Sequence, residues 1–203
     1  MPEINSRTAL YAVLGSPINH SLSPVMHNAA FRHLGMNALY LALNVTPPRL
    51  SDTIKAMAGM NFKGVNITVP LKETAFRLMR HIDKQALPLG AINTVKFTDG
   101  ITRGYNTDTY GFVTAIQEHF SLSLNGLTVL MLGCGGAGRA IALTCARKHA
   151  KEILLCDTDR KRSGRLALDL SMPGTPVKRE AIQANQDEMR KACRKADLIV
   201  QAT

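Results

Sequence analysis

The 203-residue chain has no tryptophan and few aromatics of any kind, 5% in all. Without aromatics interleaved among its basic residues, the sequence offers no stacking platform for nucleic acid, and it contains no known recognition module. It also lacks any run of about 18 apolar residues, the length a membrane-spanning helix needs. The opening Met-Pro-Glu-Ile-Asn-Ser-Arg-Thr holds no apolar segment of the kind that directs secretion. The four cysteines (Cys134, Cys145, Cys156, Cys193) show no Cys-x-x-Cys spacing. They read as reduced thiols, three of them in buried elements, rather than as staples or zinc ligands. A cytoplasmic protein without a metal is the expectation.

What is present is ordinary for an α/β protein: 45% hydrophobic residues and enough length for one large or two small cores. The net charge is +10, with much of the surplus beyond Arg147, in Arg160-Lys161-Arg162, Lys178-Arg179 and Arg190 to Lys195. Spread over helix faces, these charges suit a solvated surface that favours an anionic cofactor.

The stretch Gly-Val-Asn-Ile-Thr-Val-Pro-Leu-Lys-Glu (64–73) carries the densest chemistry. Val65 and Ile67 alternate with Asn66 and Thr68, the period-2 pattern of a strand. Pro70 cannot continue a ladder and suits the first turn of a helix, so a helix is predicted from Pro70 to Arg80, carrying Leu71 and Lys72. An amide, a hydroxyl and an ammonium then surround one strand end. A second stretch, Gly-Tyr-Asn-Thr-Asp (104–108), supplies a carboxylate 36 residues after the lysine, at the start of another helix. A Lys72–Asp108 couple beside such donors could bind a polyol and move a proton. The plainer alternative is a surface ion pair next to a helix cap, an arrangement that contributes little.

In chain order, Leu10–Leu14 is a short buried strand turned by Gly15-Ser16-Pro17. His-Ser-Leu-Ser-Pro (20–24) comes next, with Ser23 as N-cap and Pro24 as the first helical residue. Ser21 is then left over beside a possible ligand, and Ser23 can serve both purposes. The helix continues through Met26, Ala29, Ala30, His33 and Leu34 to Gly35. Ala38–Val45 is a strand, Arg49–Ala58 a helix with Leu50, Ile54 and Met57 inward, and Phe62–Thr68 the next strand. This βαβα order predicts a mostly parallel sheet. Asp99-Gly100 marks a hairpin between Ala91–Phe97 and Ile101–Tyr105, bringing Asn93 and Asn106 to neighbouring strands. Asn93 either points into a cleft or serves as a turn or ladder amide.

After a helix over Asp108–His119, the polar Ser121–Gly126 stretch marks the predicted boundary, between a substrate-binding domain (1–121) and a second domain (122–203). Leu127–Leu132 is a near-continuous apolar strand. It leads into Gly-Cys-Gly-Gly-Ala-Gly (133–138) and a helix from Ala137 to His149. Glu152–Cys156 is a second strand ending at Asp157. Helices over Arg160–Leu170 and Gln186–Lys195 and a strand over Asp197–Ala202 complete the order. Gly133, Gly135 and Gly138 satisfy Gly-x-Gly-x-x-Gly after a strand and before a helix, with an acid 19 residues beyond the last glycine. This is the context of a Rossmann dinucleotide fingerprint. Gly133, Gly135, Gly136, Ala137 and Gly138 would approach the pyrophosphate, and Asp157 would bind the adenosine ribose and repel a 2′-phosphate. The cofactor is therefore NAD or NADP, with NAD favoured.

Five segments together resemble the shikimate dehydrogenase family, including its quinate/shikimate branch. They are Gly-Ser-Pro-Ile-Asn-His-Ser-Leu-Ser-Pro-Val-Met-His-Asn (15–28), Phe-Lys-Gly-Val-Asn-Ile-Thr-Val-Pro-Leu-Lys-Glu (62–73), Gly-Ala-Ile-Asn-Thr (90–94), Gly-Tyr-Asn-Thr-Asp-Thr-Tyr-Gly (104–111) and the glycine loop. The resemblance implies a small α/β substrate domain followed by a Rossmann domain. It also implies hydride transfer between a nicotinamide and C3 of 3-dehydroshikimate or shikimate, or their quinate equivalents, within aromatic amino acid biosynthesis. By position, Lys72 resembles the catalytic lysine and Asp108 its partner. Ser21 and Ser23 resemble carboxylate binders, and Asn66, Thr68 and Asn93 the ring-hydroxyl contacts.

The sequence departs from the family in two places. Asp157-Thr158-Asp159 stands where NADP-using members carry Asn-Arg-Thr, which again favours NAD. The sequence stops at Gln201-Ala202-Thr203 where members run on, so a partial Rossmann domain with an exposed edge at Asp197–Ala202 is expected. Two rivals remain: a sister two-domain enzyme such as methylenetetrahydrofolate dehydrogenase, and a metabolite sensor that kept the pocket. The first leaves the Ser21/Ser23 pair and the asparagine set unexplained. The second leaves the Lys72–Asp108 couple unexplained.

Overall fold

The computed structural model describes residues 4–171 and 177–202; the opening Met-Pro-Glu and the terminal Thr203 lie outside the described residues. Contacts divide the chain into two compact units, Met1–Thr107 and Asp108–Thr203. The division falls between Thr107 and Asp108, not at 121/122. The helix opened by Asp108 packs on the glycine-loop helix of the second unit, so it groups with the later elements.

The first unit runs β1 (Ala9–Gly15), α1 (Ser23–His33), β2 (Ala38–Asn44), α2 (Leu50–Ala58), β3 (Phe62–Ile67), α3 (Lys72–Leu78), β4 (His81–Ile82), β5 (Thr94–Thr98) and β6 (Ile101–Tyr105). The sheet order is β2-β1-β3-β5-β6-β4. β1 pairs in parallel with β2 and β3, while β3–β5 and β5–β6 are antiparallel. The Asp99-Gly100 turn has positive φ at both residues (49° and 75°), which matches the twist of the flanking strands. Leu50, Ile54 and Met57 of α2 are buried as their spacing predicts, against Leu14, Ile67, Leu71 and Val95. Each such fully buried side chain contributes about 1.5–3 kcal/mol of transfer free energy.

At two positions the local structure differs from expectation. Pro70 does not open the helix. It lies in a turn closed by the Leu71 N–H on the Thr68 carbonyl (2.8 Å), and α3 begins at Lys72. Ser23 is not the N-cap either. Leu22 takes that position, and Ser21 Oγ accepts the Ser23 N–H at 3.3 Å. A serine two residues ahead can bond its own chain this way in place of a true cap. Helix α1 buries no residue completely. It turns His27, Asn28 and Phe31 toward the sheet and leaves Val25 and Met26 exposed.

The second unit runs α4 (Asp108–Phe120), β7 (Thr128–Leu132), α5 (Gly136–Arg147), β8 (Glu152–Cys156), α6 (Arg160–Asp169), β9 (Lys178–Ala181), α7 (Gln186–Lys195) and β10 (Leu198–Gln201). All four strands are parallel, in the order β10-β7-β8-β9. The central β7 and β8 are apolar because helices cover both faces of a parallel sheet. Periodicity predicts neither β4 nor β9. The first is two residues long, and the second is Lys-Arg-Glu-Ala with every side chain exposed, so only backbone pairing makes it a strand. At the start of β8 the buried Glu152 carboxylate accepts Lys195 Nζ from α7 (2.7 Å) and Lys178 Nζ from β9 (3.0 Å). Burial pushes this carboxyl up, but the two ammonium donors outweigh it, leaving Glu152 below its ordinary range. Cys134, Cys145 and Cys156 are buried and Cys193 is exposed, all as free thiols. Among the described residues no helix is long and apolar enough to cross a membrane.

Candidate active site

The parallel β1–β3 pair ends at Leu14↔Ile67, and polar groups accumulate just past that point. The Thr68 N–H donates to the Leu14 carbonyl (2.9 Å) and the Ser16 N–H to the Val69 carbonyl (3.2 Å). These bonds tie the start of the loop that carries Ser21 and leads to Ser23 of α1 to the end of β3. A Cβ on Gly15 would sit 2.5 Å from Thr68 Cγ2, so the close approach of the two chain segments requires glycine. Lys72, half-buried, is the first residue of α3; its carbonyl accepts the Ile92 N–H at 3.1 Å. The Asn93 carbonyl accepts the Ile67 N–H at 2.8 Å. Asn66, Thr68 and Lys72 of one predicted motif and Asn93 of another thus gather around one strand end. Ser21 lies on the loop after the neighbouring strand, and Ser23 is the first residue of α1.

A chain of side-chain hydrogen bonds runs through this pole. Tyr40 Oη donates to Asn66 Oδ1 at 2.6 Å. Asn66 Nδ2 donates to Thr94 Oγ1 (3.2 Å) and to the Asn93 carbonyl (3.4 Å). Thr94 Oγ1 donates to Asn93 Oδ1 at 2.9 Å, an atom that also accepts the Thr107 N–H at 3.0 Å. Asn93 Nδ2 donates to Thr107 Oγ1 at 2.9 Å, and Asn106 Nδ2 holds the Ala91 carbonyl at 3.0 Å. Tyr40 is itself held from α1. Asn28 bonds both its N–H and its carbonyl at 2.9 Å, and the His27 ring stacks on it at 4.3 Å. Burial pushes the Tyr40 phenol up to about 12, so it stays a donor, and pushes His27 down. The sequence motifs include Thr94 and Thr107 but assign them no role, and they leave out Tyr40. The available signal was strand pairing, which sets Asn66 directly opposite Thr94.

In the second unit, Asp108 is the first residue of α4. The glycine loop joins β7 to α5, with Gly133 at φ 97° and Gly135 as an N-cap that supplies no side-chain bond. A Cβ at Gly135 would meet nothing within 4 Å, leaving open space over the loop, whereas one at Gly138 would overlap the Gly133 carbonyl oxygen. The loop thus leaves open space at one glycine and packs tightly at the other, and the first-turn N–H groups of α5 adjoin it, the arrangement by which helix N-termini receive anions in Rossmann loops. Gly136 and Ala137 are its first two helical residues. Asp157 Oδ2 accepts the Cys134 N–H and Oδ1 the Asp159 N–H, both at 2.8 Å, fixing a carboxylate beside the loop. These residues fit a dinucleotide. Burial, with Asp157 and Cys156 adding to it, pushes the Cys134 thiol up to about 12, so it stays protonated and inert. Arg139 at the start of α5 pairs with Asp169 of α6. Among the described residues no cluster of three or more His, Cys, Asp or Glu could hold a metal ion.

An α/β chain with a polar pole on one unit and a Rossmann-like glycine loop on the other belongs among the nicotinamide-dependent oxidoreductase architectures. Residues 13–95 match the shikimate dehydrogenase substrate binding domain, and residues 129–203 the saccharopine dehydrogenase NADP binding domain. The chain is 40% identical over 200 residues to the shikimate dehydrogenase (NADP(+)) of Methanopyrus kandleri, covering 98% of this chain and 69% of that protein. Shikimate 5-dehydrogenase from Listeria monocytogenes, solved with shikimate and NAD, superposes with a TM-score of 0.85 at 29% identity, over 100% of this chain and 71% of that one. Quinate dehydrogenase from Corynebacterium glutamicum, solved with NAD, gives 0.83 at 27%, over 97% and 71%. The chain belongs to the shikimate dehydrogenase family.

Proposed function

We propose that this chain acts as a shikimate dehydrogenase, reducing 3-dehydroshikimate reversibly to shikimate with NAD(P) in aromatic amino acid biosynthesis. The observation that carries the reading is the gathering of Asn66, Thr68, Lys72 and Asn93 at the end of β3, fastened by Ile67 N–H on the Asn93 carbonyl and Ile92 N–H on the Lys72 carbonyl. In this reading Ser21 and Ser23 bind the ring carboxylate, and Asn66, Thr68 and Asn93 bind the ring hydroxyls. The bound nicotinamide supplies or takes the hydride. As the substrate carbonyl is reduced its oxygen gains negative charge. The Lys72 ammonium stabilises that charge and delivers the proton, with Asp108 as its acid–base partner. In the reverse direction Lys72 takes the hydroxyl proton.

Gly133, Gly135, Gly136, Ala137 and Gly138 hold the pyrophosphate, and Asp157 the adenosine ribose. We read the preference as NAD, because a 2′-phosphate would meet the Asp157 carboxylate, which is already fixed beside the loop by the Cys134 and Asp159 N–H groups. The four free thiols support a reducing compartment such as the cytoplasm. The test is reduced-nicotinamide formation with shikimate and with quinate, each against NAD and NADP. Shikimate-dependent reduction with NAD is the expected outcome. Turnover confined to NADP would overturn the cofactor preference, and a folded protein inert toward shikimate would overturn the reading.

A further inference from the structure

We infer that Thr94 is a positioning residue that makes Asn66 an acceptor toward the substrate and locks the two pole asparagines together; this rests on the shikimate dehydrogenase reading. Backbone groups have fixed polarity and orient the side chains that meet them. An N–H can only donate, so the Asn93 side-chain atom 3.0 Å from the Thr107 nitrogen is the amide oxygen. That oxygen also faces Thr94 Oγ1 at 2.9 Å, so Thr94 donates its one proton there. Having donated, Thr94 can only accept from Asn66, and the partner at 3.2 Å is therefore Nδ2. The Asn93 carbonyl, which only accepts, demands the same orientation at 3.4 Å. Asn66 Oδ1 then faces Tyr40, whose buried hydroxyl donates to it at 2.6 Å.

Asn66 therefore directs its amide protons to protein acceptors and uses one Oδ1 lone pair on Tyr40. What it offers a ligand is the second lone pair of Oδ1. A ring hydroxyl can donate to that lone pair, whereas a carbonyl at the same ring position cannot and would be repelled. Thr94 thus helps the pole select a hydroxyl at the one ring position that Asn66 meets, without touching the ring itself.

The test compares the parent protein with Thr94→Val, Thr94→Ala and Thr94→Ser. Valine keeps the shape of threonine and removes the hydroxyl, alanine guards against overpacking, and serine keeps the hydroxyl. We expect Val and Ala to raise the KM for shikimate about tenfold, roughly one good hydrogen bond's worth of affinity. The kcat should change much less, and Ser should restore the parental KM. The side-chain amide NMR signals of Asn66 and Asn93 should shift together in Val and Ala and return in Ser, with or without substrate. A parental KM in folded Val or Ala variants, or amide signals that do not move, would overturn the proposal alone. A parent inert toward shikimate would overturn the functional reading it rests on.

Discussion

The two functional poles are built from opposite materials. At the end of β3 the first unit assembles side chains: amides and hydroxyls hold one another in place, from Tyr40 through Asn66 and Thr94 to Asn93 and Thr107, with Lys72 opening α3 just beyond. At the end of β7 the second unit removes them. Its loop works through bare backbone, with open space over Gly135 and close packing at Gly138. A pole of side chains is specific because each donor and acceptor has a fixed partner. A pole of backbone would suit a pyrophosphate, whose charge is the same whatever substrate is bound. The first should therefore respond to changes of single atoms, the second to added bulk.

The largest break should come at Lys72. Lys72→Ala should lower kcat by about 10²- to 10⁴-fold, the usual worth of a positioned proton donor, with KM moving much less. Unchanged turnover in steady-state kinetics would remove the lysine from the chemistry. Next, the two glycines separate packing from binding. Gly138→Ala pushes a methyl into the Gly133 carbonyl and should cost about 1–3 kcal/mol of stability, seen as a lower melting temperature. Gly135→Ala should leave melting unchanged and weaken cofactor binding about tenfold by calorimetry, near 1.4 kcal/mol. If both variants melted alike, the contrast between the two glycines would fail.

Glu152, at the opposite end of β8 from Asp157, offers an electrostatic control. Its folded-state pKa is depressed, so the stability it contributes is present above the ordinary carboxylate range and lost as pH falls through the folded value. Glu152→Gln should cost about 2 kcal/mol at neutral pH, as expected for hydrogen bonds to a buried charge. That difference should shrink below about pH 4 in melts run across pH. A constant difference at every pH would mean that shape rather than charge matters there. The smallest effect should be at Asp157. Asp157→Asn keeps an acceptor for the Cys134 N–H and removes the charge, so the NADP-to-NAD ratio of kcat/KM should rise several-fold.

The backbone pole was far more legible in the sequence than the side-chain pole. Glycine spacing, the apolar strand ahead of it and the acid at the end of the next strand are all local, and local geometry alone demands them. The α2 face of Leu50, Ile54 and Met57 was legible for the same reason, as one helical period. Local rules failed where a competing local bond or a tertiary contact prevailed. Ser23 has the look of an N-cap, yet Ser21 holds the chain and Leu22 takes the cap position. Pro70 has the look of a helix opener, yet the turn from Thr68 to Leu71 comes first. The polar Ser121–Gly126 stretch has the look of a boundary, yet α4 packs with α5 and the division falls at Asp108.

By itself the sequence determined the alternation of strands and helices, the glycine loop, and which residue types carry amide, hydroxyl and ammonium chemistry, because these depend on periodicity and on backbone freedom within a few residues. Only the tertiary structure decided the partners: that Asn66 faces Thr94 across the ladder, that Tyr40 of β2 reaches the same amide, and that Glu152 binds two lysines from different elements. Hydrogen-bond polarity is a property of pairs. Pairs distant in sequence are set by strand register and sheet order, which no local pattern specifies.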